Sequence, residues 1–289
     1  MRVAAIDLGT NATRLLVADV DLEDGRVEEV QRRTRITKLG EGVDLRRRLL
    51  PVPVARVRNV LADYRREAES LGAERVLAVA TSAVRDAENG EAFLGEVEWS
   101  YGFATRLLSG DEEAAMTLRG VGPLEPGTVV IDIGGGSTEL ITESFRTSMN
   151  VGSVRLTERH GGDLDAMAAD VRAGLPDLAA ERVLGVDGTT AELAHLAGEG
   201  RTVRTTFLDE TLGWLTSSTE AERRGRLLEP DRSEVLAAGV VVLRESLAHL
   251  GVDRAEASDR DLLNGAALAA AELPEPEDGA APPGAYTCC

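Results

Sequence analysis

Two stretches of the chain share one pattern of apolar and polar positions. Residues 3–6 are apolar and run into Asp7; a small turn, Leu8-Gly9-Thr10-Asn11, follows, and apolar residues resume to about residue 20. At residue 128 the pattern starts again: an apolar run, Asp132, the turn Ile133-Gly134-Gly135-Gly136-Ser137, then Thr138, Glu139 and more apolar residues. Each reads as a β-hairpin around a tight turn. A turn of this kind bares backbone N–H groups and forms a nest for an anion. The Asp at its base is an oxygen ligand suited to a hard cation.

Between and beyond these hairpins the periodicity alternates between strand and helix. Asp24-Gly25 predicts a second turn with a strand over residues 27–33. Helical spacing over residues 54–71 places Val57, Leu61, Tyr64 and Ala68 on one face, and Gly72 ends the helix. Residues 75–80 form a buried strand, 83–94 a helix and 104–108 a short strand, and a helix starts at Ala114. After the second hairpin come a strand near 148–152, a helix carrying Val154 and Leu156, and a strand over 184–187. Helices are predicted from Ala191 and over 208–222, 233–250 and 261–271, with a strand over 251–257. Two α/β units, each opened by an Asp-bearing Gly turn, imply a duplicated domain. The expected boundaries are 1–122, 123–272 and a disordered, Pro-rich tail over 273–289.

Composition narrows the classes. At 289 residues the chain holds two domains of ordinary size, with 43% hydrophobic and only 3% aromatic residues. Its cores are therefore built from Leu, Val, Ala and Ile. No apolar run approaches the roughly 20 residues that span a bilayer, and Asp7 interrupts the first apolar stretch, so a cytoplasmic protein without a membrane partner is expected. Both cysteines, Cys288 and Cys289, close the chain and are read as free thiols. The net charge of −18 argues against nucleic acid as a partner. It also means that a polyanionic substrate needs local positive charge. Three clusters could supply it: Arg32, Arg33 and Arg35; residues 46–48; and Arg223, Arg224 and Arg226. In so acidic a chain such clusters also serve to balance nearby Glu and Asp. His160, His195 and His249 lack metal-ligand spacing and are read as structural.

Asp7-Leu8-Gly9-Thr10-Asn11 and the segment from Asp132 to Glu139 resemble the two phosphate motifs of the actin-like ATPase and sugar-kinase superfamily. Further segments narrow the resemblance to the exopolyphosphatase/guanosine pentaphosphate phosphohydrolase (Ppx/GppA) family. These are Thr81-Ser82-Ala83-Val84-Arg85-Asp86-Ala87-Glu88-Asn89, Ser109-Gly110-Asp111-Glu112-Glu113-Ala114, Gly152-Ser153-Val154-Arg155-Leu156-Thr157-Glu158, Asp187-Gly188-Thr189-Thr190 and Ser258-Asp259-Arg260-Asp261-Leu262-Leu263-Asn264-Gly265. Together they cover roughly residues 3–270. One departure is Glu234, which stands where the family often has Asp.

The resemblance implies an α/β fold of two duplicated ribonuclease H-like (actin-like ATPase) domains with an interdomain cleft. It implies hydrolysis of phosphoanhydrides with Mg²⁺. Phosphate contacts are expected from Gly9, Thr10, Asn11, Gly134, Gly135, Gly136, Ser137 and Thr138. Metal ligation is expected from Asp7, Asp132 and Glu139, directly or through water. Glu113 is implied as the base that activates water, and Arg85 as the clamp on the terminal phosphate. Glu112 is read as a first-turn acid favoured by the helix dipole. Longer family members carry additional C-terminal helical domains, so short-chain polyphosphate is the expected substrate. Guanosine pentaphosphate is the alternative, a homodimer is left open, and a superfamily kinase or a non-catalytic sensor is the competing class.

Overall fold

The computed structural model describes residues 1–198 and 200–274. The tail expected over 273–289, with its two cysteines, lies outside the described residues except for Leu273 and Pro274. The described residues divide into two compact units, 1–112 with 262–274, and 113–261.

Unit 1 opens with β1 (Arg2–Leu8), β2 (Ala12–Asp21) and β3 (Arg26–Ile36). The short α1 (Val43–Arg46) and the long α2 (Pro51–Ser70) lead to β4 (Arg75–Ala80). Then come α3 (Ser82–Arg85), α4 (Gly90–Tyr101) and β5 (Ala104–Leu107). The sheet order is β3-β2-β1-β4-β5, with β1 antiparallel to β2 and parallel to β4. Central β1 is apolar at nearly every position because both its faces are covered. Beneath one face α2 buries Val57, Leu61, Tyr64 and Ala68, the stripe its spacing predicts. The helix predicted over 83–94 is broken at residues 86–89. There Asn89 donates to Leu49 O and accepts from Leu49 N, at 3.1 and 2.8 Å, which ties the chain sideways to the loop after α1.

Helix α5 (Gly110–Val121) joins the units. Unit 2 continues with β6 (Thr128–Ile133), β7 (Thr138–Ile141), β8 (Arg146–Met149), α6 (Ser153–His160) and α7 (Leu164–Gly174). It goes on through β9 (Arg182–Val186), α8 (Asp187–Ala197), β10 (Thr202–Arg204), α9 (Thr205–Ser217), α10 (Glu220–Arg224), α11 (Leu236–Leu250) and β11 (Arg254–Ala257). Its sheet runs β8-β7-β6-β9-β11-β10. Apart from the added edge strand β10, this is the order of the first sheet, with β6 antiparallel to β7 and parallel to β9. The shared order establishes the duplication: two mixed-sheet α/β domains of the ribonuclease H-like kind. Helix α11 forms the centre of the second core, with Val240, Val241, Leu243 and Leu247 fully buried.

Two expectations change. The helix predicted over 208–222 is two helices, because Thr219 and Glu222 form a capping box that starts α10. The domain boundaries also move. The last helix, α12 (Leu262–Ala271), belongs to unit 1, where it lies over β1, β2 and β4. It is apolar on nearly its whole circumference, so it needs cover on all sides, and the outer face of the first sheet provides it.

Candidate functional site

The two Gly turns close alike. Gly9 N–H donates to Ala12 O at 3.1 Å, and Gly134 N–H donates to Ser137 O at 3.0 Å. Around the second turn, every glycine carbonyl is engaged from one side. Ser153 N–H donates to Gly134 O at 3.0 Å; Val154 and Arg155 N–H donate to Gly135 O at 2.8 and 3.0 Å; Arg155 Nε donates to Gly136 O at 2.6 Å. A planar trans peptide points its N–H opposite to its C=O. The amides of Gly135, Gly136 and Ser137 therefore point away from α6. Gly152 lets α6 approach this closely. A Cβ there would stand 2.6 Å from the carbonyl carbon and oxygen of Gly135.

In the first turn, Thr10 and Asn11 are buried, yet Thr10 Oγ1, Asn11 Oδ1 and Asn11 Nδ2 have no hydrogen-bond partner in the protein. Buried polar groups are rarely left so, and three in adjacent residues mark a place for a polar ligand. The backbone behind them is fixed: Gly40 N–H donates to Thr10 O, and Thr37 and Lys38 N–H donate to Asn11 O. Thr138, expected on phosphate, is instead fully buried and donates to Val151 O at 2.7 Å. It follows the turn as the first strand residue, so its side chain points into the sheet's packing.

The acids separate by environment. Glu112 is exposed and caps α5. Its carboxylate accepts from Ser109 N–H and Oγ–H, both at 2.9 Å, and from Arg106 at 3.0 Å. These bonds hold its pKa down to about 2. Glu113, one residue on, is only 7% exposed. Together with Met116, Thr117 and Gly120 it forms the buried face of α5 at the spacing that places side chains in line. Thr117 on that face donates to Asp132 Oδ2 at 2.9 Å, which docks the Glu113 face of the helix at the base of the Gly turn. Glu139 lies directly opposite Asp132 in the β6–β7 ladder and accepts from Ser148, its neighbour on β8, at 2.6 Å. Burial pushes the Glu139 carboxyl well above the usual range; the charges of Glu113 and Asp132 push it further, against the hydrogen bonds from Ser148 and Ser137.

Excess negative charge of this kind fits a divalent cation. Mg²⁺ is usually bound by one or two carboxylates, with water and substrate phosphates completing its shell. Asp132 and Glu139 suit that role. Among the described residues no group of three or more His, Cys, Asp or Glu side chains forms an all-protein cage. Asp7, the third expected ligand, accepts from Arg14 Nε and Nη2 at 3.0 and 2.9 Å through Oδ2 alone.

Arg85 ends α3 and donates to Leu108 O at 2.7 Å, so it is anchored at the end of the first sheet. In the Asp187 turn Thr189 donates to Ile133 O at 3.2 Å, and Thr190 is buried with its Oγ1 lacking a hydrogen-bond partner. Most of the arginine clusters balance acids or carbonyls. Arg32 pairs with Glu29, Arg33 with Glu67 and Arg224 with Asp231; Arg223 donates to Leu215 O, and Arg226 stacks over Trp214. His160 bonds Asp170 and His249 bonds Pro176 O. Arg14, Thr117 and Ser148 were not picked out from the sequence. Hairpin register pairs Arg14 with Asp7 and Ser148 with Glu139, and the four-residue helical step pairs Thr117 with Glu113; these were the available signals.

The model of the Ppx/GppA phosphatase family matches residues 16–163, a span that holds Arg85, Glu113, Asp132 and Glu139. The chain belongs to that family. Exopolyphosphatase 2 of Mycobacterium tuberculosis is 34% identical over 93% of this chain and 98% of its own. The guanosine-5'-triphosphate,3'-diphosphate pyrophosphatase of Vibrio cholerae is 33% identical over 63% of this chain but only 37% of its own. The crystal structure of the Aquifex aeolicus Ppx/GppA family member superimposes with a TM-score of 0.72 at 26% identity, over 93% of this chain and 97% of that one. As a Ppx/GppA phosphatase, this chain is a hydrolase of phosphoric anhydrides. Among the described residues no helix is long and apolar enough to cross a membrane.

Proposed function

We propose that the protein is a Mg²⁺-dependent exopolyphosphatase that removes terminal phosphates from short polyphosphate chains. The observation that carries this reading is the buried acid group Glu113, Asp132 and Glu139 beside the Gly135-Gly136-Ser137 turn, in a chain matching nearly the full length of a mycobacterial exopolyphosphatase. Loss of a terminal phosphate needs donors on the phosphoryl oxygens and a group to orient and deprotonate water. The amides of Gly135, Gly136 and Ser137 bind phosphate oxygens in unit 2. Gly9, Thr10 and Asn11 do so in unit 1, and Arg85 holds a terminal phosphate as a charged donor. Glu113 accepts the proton of the attacking water. Its place on the rigid, capped α5 fixes that carboxylate. Mg²⁺, when bound at Asp132 and Glu139, neutralises charge on the transferred phosphoryl group. The chain's own net charge of −18 disfavours long polyanions and supports the preference for short ones.

The second reading, hydrolysis of the 5′ γ-phosphate of guanosine pentaphosphate, is supported by the Vibrio relative. The test is phosphate release from polyphosphates of graded length, guanosine pentaphosphate and ATP, with Mg²⁺ and with chelator. Mg²⁺-dependent release fastest on short polyphosphate is expected. Release only from guanosine pentaphosphate selects the second reading, and no release from any of them overturns both.

A further inference from the structure

Three consecutive arginines of unit 1 carry uncompensated charge. Arg46, Arg47 and Arg48 are exposed, and their side chains have no ion pair or hydrogen bond among the described residues. Arg33, Arg58 and Arg66, also exposed, each hold an acid. In a chain of net charge −18, three adjacent unpaired cations create a local positive field. The backbone is strained where they lie. Arg47 ends α1 at φ 52° and ψ 33°, the left-handed conformation that favours Gly.

Hydrogen bonds tie this segment to the first turn. Gly40 N–H donates to Thr10 O at 2.8 Å and Val43 N–H to Gly40 O at 3.0 Å; Arg46 and Arg47 N–H donate to Gly42 O and Val43 O at 3.0 and 2.8 Å. Gly40 lies so close to the Thr10 side chain that a Cβ has no room there. Arg47 O in turn accepts from Glu88 N–H at 2.8 Å, three residues after Arg85. The arginines are thus fixed both to the link that follows Arg85 and to the turn whose buried Thr10 Oγ1, Asn11 Oδ1 and Asn11 Nδ2 lack partners.

We propose that Arg46, Arg47 and Arg48 bind the inner phosphates of a polyphosphate chain, those that continue from the phosphates at Thr10 and Asn11. This rests on the polyphosphate reading above. The forked guanidinium donors meet phosphate oxygens beyond the reach of the turn, so affinity rises with chain length until this segment is filled. Arginines beside Leu45, which is 86% exposed, are also the chemistry of an anionic lipid surface; the ties to the Thr10 turn favour polyphosphate.

The test is steady-state phosphate release by the full chain from tripolyphosphate and from longer polyphosphates. Arg46→Gln/Arg47→Asn/Arg48→Gln removes the charge and leaves at position 47 a residue that tolerates the left-handed conformation. KM for the longer chains is expected to rise about tenfold, the combined effect of three exposed charge pairs, with kcat and the KM for tripolyphosphate unchanged. Added salt is expected to raise the longer-chain KM of the wild type more than that of the variant. Arg46→Lys/Arg47→Lys/Arg48→Lys is expected to keep most of the wild-type affinity. If the neutral triple variant does not fold, Arg46→Gln/Arg48→Gln carries the test with a rise of about fivefold. An unchanged KM for the longer chains overturns the inference, as does an equal rise for tripolyphosphate, and both leave the polyphosphate reading standing. Unchanged KM with binding to phosphatidylserine vesicles by the wild type and not by the variant overturns it in favour of a lipid surface. A wild type that releases phosphate from no polyphosphate overturns the polyphosphate reading and the inference with it.

Discussion

The Thr117 hydroxyl donates to Asp132 Oδ2 at 2.9 Å, joining the helix that carries Glu113 to the strand that carries the Gly turn. Thr117 is fully buried, so the bond is not in exchange with water. Thr117→Val keeps the shape and deletes the donor. Turnover is expected to fall about 10–100-fold, the usual effect of removing the partner of a metal-binding carboxylate, while thermal unfolding shifts by only about 1–3 kcal/mol for one unsatisfied acceptor. Thr117→Ser should recover most of kcat. Equal kcat in wild type and Thr117→Val would remove Thr117 from the site.

Glu112 and Glu113 are neighbours with opposite environments. Glu113→Ala should cost roughly 10²–10⁴ in kcat, the range for a lost general base, with Mg²⁺-dependent binding of polyphosphate retained in calorimetry. Glu112→Ala should keep kcat and lose about 1 kcal/mol of stability through the broken cap. The Glu112 pKa lies near 2, below its unfolded value, so its contribution is present above the ordinary carboxylate range and is lost as pH falls toward 2. Stability measured against pH in Glu112→Gln should lack that acid-side loss.

Glu139 behaves in the opposite sense. Its folded pKa is raised, so the folded state binds the proton more tightly than the unfolded chain does. Stability from this group is present at low pH and is lost as pH rises from the ordinary carboxylate range through the raised folded value. Chelator-treated protein should therefore show a melting temperature that declines across that window. Mg²⁺ should reverse the decline, and Glu139→Gln should abolish both effects. A flat profile in the wild type would contradict the buried-charge account.

Gly152→Ala tests how tightly the nest is built. The new methyl would meet backbone atoms of Gly135 and Gly136, which cannot rotate away. Displacing them costs about 1–3 kcal/mol and tilts the amides, so KM for polyphosphate should rise more than kcat falls. Unchanged KM would show that these amides do not bind substrate.

Much of the fold was legible because its signals are local. The apolar runs of β1 and β6, the Gly turns after them and the amphipathic stripe of α2 follow from one or a few neighbouring residues. The break at residues 86–89 was not legible, because Asn89 finds its partner at Leu49, forty positions away. Nor was the early start of α5 at Gly110, which depends on the reciprocal bonds of Ser109 and Glu112. At the site, Thr138 looked available for phosphate because a hydroxyl beside a Gly turn usually is. Its bond to Val151 O exists only because α6 and the strand before it fold back over the turn.

The amino-acid order alone carried the repeated α/β plan, the two Asp-bearing turns and the resemblance to a phosphatase family, since these reside in spacing and residue type. Which unit the last helix joins, which carboxylate meets an arginine and which meets another carboxylate depended on strand register and on burial. Those are long-range properties. A charge at position 14 or 139 acquires its meaning only when a hairpin places it beside Asp7 or Asp132 and removes both from water.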